Sequence, residues 1–245
     1  WSGSKGSATQ FTDEDYYWAL GKCREVEDVI RRHCAIMDKY DPKKQIALML
    51  DEWGTWWDEE PGTIAGHLYQ QNSLRDAFVA SLSLDIFHKY TDRLKMANIA
   101  QVVNVLQSMI LTKDDRMVLT PTYYVFKMYR VHQDATYLPL ELDCATVDVR
   151  LPLLSATASR DKEGRVHLSL SNVDLNEAQE VTVRLSGITA RKAVGEVLTA
   201  EHVTDCNTFD QPDRVRPVPF KDAKIEKGVL RLTLPAKSIV TLELQ

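Results

Sequence analysis

Between residues 13 and 131 the hydrophobic pattern of this chain switches between helical spacing and short unbroken apolar runs, and beyond Tyr137 it gives way to runs that alternate residue by residue. Periods of about 3.6 and 2 residues belong to different architectures, so the change of texture divides the chain. After a Gly/Ser-rich start over 2–7, Thr12 and Asp15 form a capping-box pair. Leu20, Cys23, Val26, Ile30, Cys34 and Met37 follow at helical spacing and predict one long helix over 13–40. Asp41-Pro42 stops it. Gln45 to Asp51 (QIALMLD) then reads as a strand of the kind a parallel sheet buries on both faces.

The alternation repeats. A loop rich in Asp, Glu, Pro and Gly over 58–66 leads to a helix over 68–90 and a brief strand over 93–97. Further helices are expected over 100–109 and, behind Pro121, over 122–131. Helix and buried strand in turn predict βα units. The later runs, such as Val166-His167-Leu168-Ser169-Leu170, Val181-Thr182-Val183-Arg184-Leu185 and Leu230-Arg231-Leu232-Thr233-Leu234, predict an all-β sandwich. A closed (β/α)8 barrel takes eight strands and about 250 residues, whereas about two strand–helix units precede Tyr137. The barrel cannot close with this chain alone. Its open edges call for a second polypeptide, or the α/β region is something smaller.

With 245 residues, 44% of them hydrophobic, the chain can bury an ordinary globular core. Its net charge of -5 comes from interspersed acids and bases, which excludes an electrostatic footprint for nucleic acid or an anionic membrane and suits a neutral ligand such as a sugar. Cys23, Cys34, Cys144 and Cys206 lack CxxC or zinc-ligand spacing and read as free buried thiols, and the histidines lack HxH or HExxH spacing. His67 and His88 read as loop or surface residues. No apolar run approaches the roughly 20 residues that span a bilayer. The absence of a signal pattern carries no weight in a chain that opens at Trp1 rather than Met.

Chemistry concentrates in Leu50-Asp51-Glu52-Trp53-Gly54-Thr55-Trp56-Trp57, where an apolar strand ends in two carboxylates followed by indoles. Strand C-termini are where α/β folds place reacting groups. Side chains alternate along a strand, so Asp51 and Glu52 point opposite ways, and residue types alone do not choose between them. A carboxylate beside indoles suits sugar cleavage: aromatic faces cover a sugar ring while the carboxylate attacks or stabilises its anomeric carbon. Residue types alone fit core tryptophans and loop-capping acids better than a site.

DEWGTWWDEEPGT, HLYQQNSLRDAFVASLSLDIFHKY, DRLKMANIAQVVNVLQSMILT and PTYYVFKMYRVHQDA, in that order, resemble the C-terminal part of the α-L-arabinofuranosidases of glycoside hydrolase family 51. The likeness is strong over residues 6–135 and weak beyond. It implies the C-terminal portion of a (β/α)8 barrel over 1–136 and a β-sandwich over 137–245. It makes Glu52, at the end of the seventh barrel strand, the nucleophile of a retaining arabinofuranosidase, and gives Trp56, Leu68 and Gln101 contacts to the sugar, with Asn98 in support. The family more often has Asn where this chain has Gly54. The family's acid/base carboxylate lies upstream and has no counterpart here, and Asp58, Glu59 and Glu60 are too loop-bound and too close in sequence to replace it. The expected partners are an arabinofuranosyl saccharide, the N-terminal half as a second chain, and further copies in a homo-oligomer, a hexamer by resemblance. No metal or organic cofactor is implied, and the setting is cytoplasmic or periplasmic. A noncatalytic carbohydrate-binding or assembly fragment is the alternative.

Overall fold

In a computed structural model, which describes residues 5–245 so that Trp1 and residues 2–4 of the Gly/Ser-rich start lie outside it, Thr12 caps the first helix. Its hydroxyl accepts from Asp15 N–H at 3.2 Å while its own N–H donates to Asp15 Oδ2 at 2.9 Å. The single helix expected over 13–40 is two, α1 (Asp13–Arg24) and α2 (Val26–Tyr40), broken at Glu25. The break serves two cores. Tyr16 and Leu20 of α1 join the main cluster, whereas Ile30 and Cys34 of α2 cover Ile86, Phe87 and Leu94.

Strand β1 (Leu48–Trp53), helix α3 (Leu74–His88) and strand β2 (Leu94–Ile99) follow, and β1 pairs with β2 in parallel. Leu48 and Leu50 pack on the α2–α3 cluster, but Met49 and Met96 are 47% and 41% exposed. The strand expected to be buried on both faces is therefore covered on one. No other strand among the described residues lies against the second edge of β1. Arg93, fully buried below β2, donates to Asp38 Oδ1, to Asp41 Oδ2 and to the Ile46 carbonyl, pinning the α2–β1 turn.

The helix expected over 100–109 is absent. Asn104 and Leu106 have positive φ, Leu106 N–H bonds to Leu68 O, and the chain enters a hairpin of β3 (Ile110–Lys113) and β4 (Arg116–Leu119). The apolar spacing is real, but buried Gln107 faces inward among polar partners and tertiary contacts override it. Helix α4 (Pro121–Tyr129), with Thr120 as N-cap and Pro121 in the first turn, ends in a 3-10 turn, Arg130–His132.

The remainder is a β-sandwich. After β5 (Thr136–Tyr137), β6 (Thr146–Asp148) and β7 (Leu151–Pro152) come β8 (Leu154–Arg160), β9 (Val166–Asn172), β10 (Gln179–Arg184) and β11 (Ala193–Thr199). The last four are β12 (Val218–Phe220), β13 (Ala223–Glu226), β14 (Val229–Leu234) and β15 (Ser238–Leu244). One sheet runs β12-β11-β15-β9-β8-β5 and the other β10-β14-β13. Leu154, Leu168, Leu170, Leu230, Leu232, Val240 and Leu242 fill the space between them.

The other face of the six-stranded sheet is also buried, against α3 and the 3-10 turn, and it is rich in hydroxyls. Asp85 accepts from Tyr129 at 3.0 Å and from Ser155 at 2.6 Å. His132 bridges Ser159 and Ser169 at 2.7 and 2.8 Å, and Ser171 meets Ser81 at 3.0 Å. His88, expected at the surface, instead faces Thr157 at 3.1 Å, since the sheet covers the end of α3; His67 is exposed on its loop. Burial pushes the Asp85 carboxyl up to about 7 and the His88 imidazole down to about 4. His132 falls to about 3, through burial first and then through its neighbours His88 and His167. The main core also crosses from helices to sandwich: Leu74, Phe78 and Val125 share a cluster with Leu151, Val173, Leu198 and Ile239. All four cysteines are free; Cys34 is buried and the others are half-buried.

Candidate active site

β1 ends on Asp51, Glu52 and Trp53, and the ladder loses its register between Leu50 and Trp53. Strict alternation would put Trp53 opposite Leu50. The irregularity instead turns Trp53 onto the helix side, where its ring lies 5.2 Å from Phe87 and 6.0 Å from Phe126. Asp51 and Glu52 are both exposed, but only Glu52 lines the cleft of about 550 Å³ between the strand end and the α1–α2 junction. Trp56 lines the same cleft, with Lys5 Nζ 4.4 Å from its ring centre, and Trp18 of α1 stands across from them.

The two other expected contact residues lie outside this cleft. Gln101 is exposed, one residue beyond Ala100 on the cleft wall. Leu68 has φ +56, and its carbonyl accepts from the N–H of Leu106, which does line the cleft. Thus the structure brings Glu52 and Trp56 together and leaves Leu68 and Gln101 in the adjoining loops.

The loop after Glu52 is held by a buried polar network that spacing alone did not reveal. Thr55 N–H donates to Gln107 Oε1 at 2.9 Å and Trp57 N–H to Gln70 Oε1 at 2.7 Å. Thr55 Oγ1 and Trp57 Nε1 both donate to Asp76 Oδ1, at 2.7 and 2.8 Å. Gly54 has φ +140, and a Cβ there would come 3.2 Å from Gln107 Oε1, so the loop passes close to its support. Arg75 lies with its guanidinium carbon 3.6 Å from the ring centres of both Phe11 and Trp57, and donates to the Ser7 carbonyl at 3.0 Å. The sequence did carry one signal for Asp76: Ser73-x-x-Asp76 has the spacing of a helix-capping box. Gln70 and Gln107 carried none.

A carboxylate open to a cleft lined with indoles can act as a nucleophile or as electrostatic support for a sugar cation. A second carboxyl that delivers a proton must hold it at working pH. Glu25, on the cleft wall, is held below the usual carboxylate range by its hydrogen bond from Lys22, with help from Arg150. Glu59 is lowered by the backbone N–H groups of Leu68 and Gly66. Glu60 accepts from Gln71 N–H at 3.2 Å and braces the same loop. Glu25 and Glu59 are poor proton donors, and Glu60 is committed to the loop.

The family model for the α-L-arabinofuranosidase C-terminal domain matches residues 51–238. An intracellular exo-α-L-arabinofuranosidase of Bacteroides ovatus is 71% identical over all of this chain and 48% of its own length. An intracellular exo-α-(1→5)-L-arabinofuranosidase of Bifidobacterium longum is 27% identical over 82% of the chain and 41% of its own. Among solved structures, the glycoside hydrolase family 51 arabinofuranosidase of Xanthomonas axonopodis pv. citri superposes with a TM-score of 0.96 at 46% identity, covering 99% of this chain and 50% of that one. An α-L-arabinofuranosidase from Thermotoga maritima, 23% identical, shares the fold with a TM-score of 0.83 over 96% of this chain and 50% of its own. The chain spans about half the length of the relatives it matches.

Proposed function

Because the chain belongs to the α-L-arabinofuranosidase C-terminal domain family of glycoside hydrolase family 51, we propose that it is the C-terminal half of a retaining, exo-acting α-L-arabinofuranosidase. The observation that carries the reading is Glu52, at the C-terminal end of a parallel strand and open to a cleft it shares with Trp56. Glu52 attacks the anomeric carbon of a terminal arabinofuranosyl group, and water then releases L-arabinose with retained configuration. Trp56 covers one face of the sugar, while Leu68 and Gln101 complete the pocket from the adjoining loops once those are packed in the whole enzyme. The acid/base stands about 5 Å from Glu52 in a retaining enzyme and comes from the N-terminal half.

On this reading residues 1–136 are the end of a (β/α)8 barrel and residues 137–245 a sandwich domain. Further barrel strands cover Met49 and Met96 and pair the open edge of β1. The substrates are arabinose-containing oligosaccharides or polysaccharides, and the whole enzyme assembles as a homo-oligomer.

The test is hydrolysis of a chromogenic α-L-arabinofuranoside by the complete enzyme and its Glu52→Ala variant. Removing an attacking carboxylate is expected to lower kcat by about 10⁴-fold or more, much as loss of the nucleophile does in other covalent mechanisms. Normal turnover by the variant would sink the assignment. Sugar binding without hydrolysis by the unaltered enzyme would favour a carbohydrate-binding fragment, a reading also supported by the lack of a suitable second carboxyl around the cleft among the described residues.

A further inference from the structure

We infer that Asp76 is a positioning residue for the loop that aims Glu52 and Trp56, an inference that rests on the nucleophile reading above. Asp76 sits in the first turn of α3, fully buried, and four donors converge on its two oxygens. Oδ2 accepts from Ser73 N–H at 2.8 Å and Ser73 Oγ at 3.3 Å, which caps the helix. Oδ1 accepts from Thr55 Oγ1 and Trp57 Nε1, three and five residues after Glu52. That set fills the acceptor capacity of one carboxylate. One side chain thereby fixes the start of α3 and the path of residues 54–57.

The surrounding bonds make the clamp stiff. The Asp76 carbonyl accepts from Gln107 Nε2 at 2.7 Å, and the same Gln107 holds Thr55 N–H with its oxygen. Gln107 also reaches Thr122 Oγ1 at 3.3 Å, and Thr122 donates to Asn72 Oδ1 at 3.0 Å. Every member is buried, so an unmade bond would leave a dry polar group, and the loop has one low-energy path. Neither Asp76 nor Thr55 Oγ1 needs to touch the sugar. They act by holding the reacting carboxylate and the stacking indole in register with the strand end, where a displacement on the order of 1 Å costs about 100-fold in rate.

The experiment uses the complete enzyme with Asp76→Asn, Thr55→Val and Thr55→Ser, and with Asp85→Asn as a control. Asp85 is equally buried on the same helix but bonded to Tyr129 and Ser155 on the sandwich side. Well below the melting temperature, Asp76→Asn and Thr55→Val are expected to lower kcat about 10- to 100-fold with KM changed about threefold at most. Thr55→Ser, which keeps the hydroxyl, is expected to restore most of the rate. Amide hydrogen exchange at Thr55 and Trp57 should quicken in the two impaired variants and stay slow in Asp85→Asn. The proposal is overturned if Asp76→Asn and Thr55→Val keep kcat within about twofold, or if Asp85→Asn loses as much activity and protection as they do. Full activity in Glu52→Gln would strike down the nucleophile reading by itself, since the exchange rates report on the clamp without reference to turnover.

Discussion

Gly195 shows how closely single positions are specified away from the cleft. It sits in β11 opposite Leu242 of β15, and a Cβ built on it collides with the Thr241 carbonyl of that strand. The colliding atom is backbone, so no rotamer can relieve it. Gly195→Ala is expected to cost about 1–3 kcal/mol, read as a lower urea midpoint with an unchanged slope. An unchanged midpoint would mean that β11 and β15 separate freely. At this scale the sequence was legible wherever a local rule reports a local contact: Thr12 and Asp15 make the capping box that their spacing predicts, and the DEW glutamate lies at a strand end. It was silent on Gln107, whose partners Thr55 and Asp76 lie 52 and 31 residues away and become neighbours only when the chain is folded.

Among the elements, α3 is the one on which the others converge. Its first turn holds the loop behind Glu52, and its last turns press Asp85 and His88 against the hydroxyl face of β8. Alternation located β9, β10 and β14. It could not tell that Ser155, Thr157, Ser169 and Ser171 face a helix rather than water, because a serine reads the same in either place. In the same way the apolar spacing of 100–109 mimicked a helix, although polar burial and positive φ set a different path.

The buried histidines and Asp85 give this contact a pH dependence. Unfolding lets His88 and His132 take up protons below about pH 6.5 that the fold refuses until about pH 4 and about pH 3, so each favours folding more as pH rises through that window. Asp85 opposes them. Its folded carboxyl keeps a proton up to about pH 7 that the unfolded chain releases near pH 3.9, so its contribution declines as pH rises. His167 is bonded to Asp161, which is lowered to about 2 chiefly by that bond and therefore titrates below the window. Two groups against one leave stability rising between about pH 4.5 and 6.5, with a net uptake of about one proton on unfolding. Thermal melts across this range should show the rise, and Asp85→Asn should steepen it. A melting temperature that falls between pH 4.5 and 6.5 would contradict the assignment.

For the whole molecule, the change of texture at Tyr137 marks a change of secondary structure more than a break in packing. Leu151, Val173, Leu198 and Ile239 bury their side chains against Leu74, Phe78 and Val125 from the helical side. Residues 137–245 expressed alone are expected to bind a hydrophobic dye and to melt below the intact chain, because excision bares both this apolar cluster and the hydroxyl face. Equal melting temperatures and no dye binding would show an autonomous sandwich. The reading of two strand–helix units and a sandwich was available from periodicity because those patterns are short-range. The shared core was not, since it joins Leu74 and Phe78 to residues more than seventy positions further along the chain.

The hydroxyl face of β8 and β9 also bears on how such chains can be recombined. Ser155 must meet Asp85, Ser171 must meet Ser81, and His132 must find both Ser159 and Ser169. These pairs work like the wards of a lock: a foreign sandwich of the same shape, grafted after residue 136, would present donors and acceptors out of step with α3. A chimaera that keeps the helix and its sheet from one parent inherits a matched set, so a unit exchanged between relatives has to carry α3 along with the sandwich rather than begin at Tyr137.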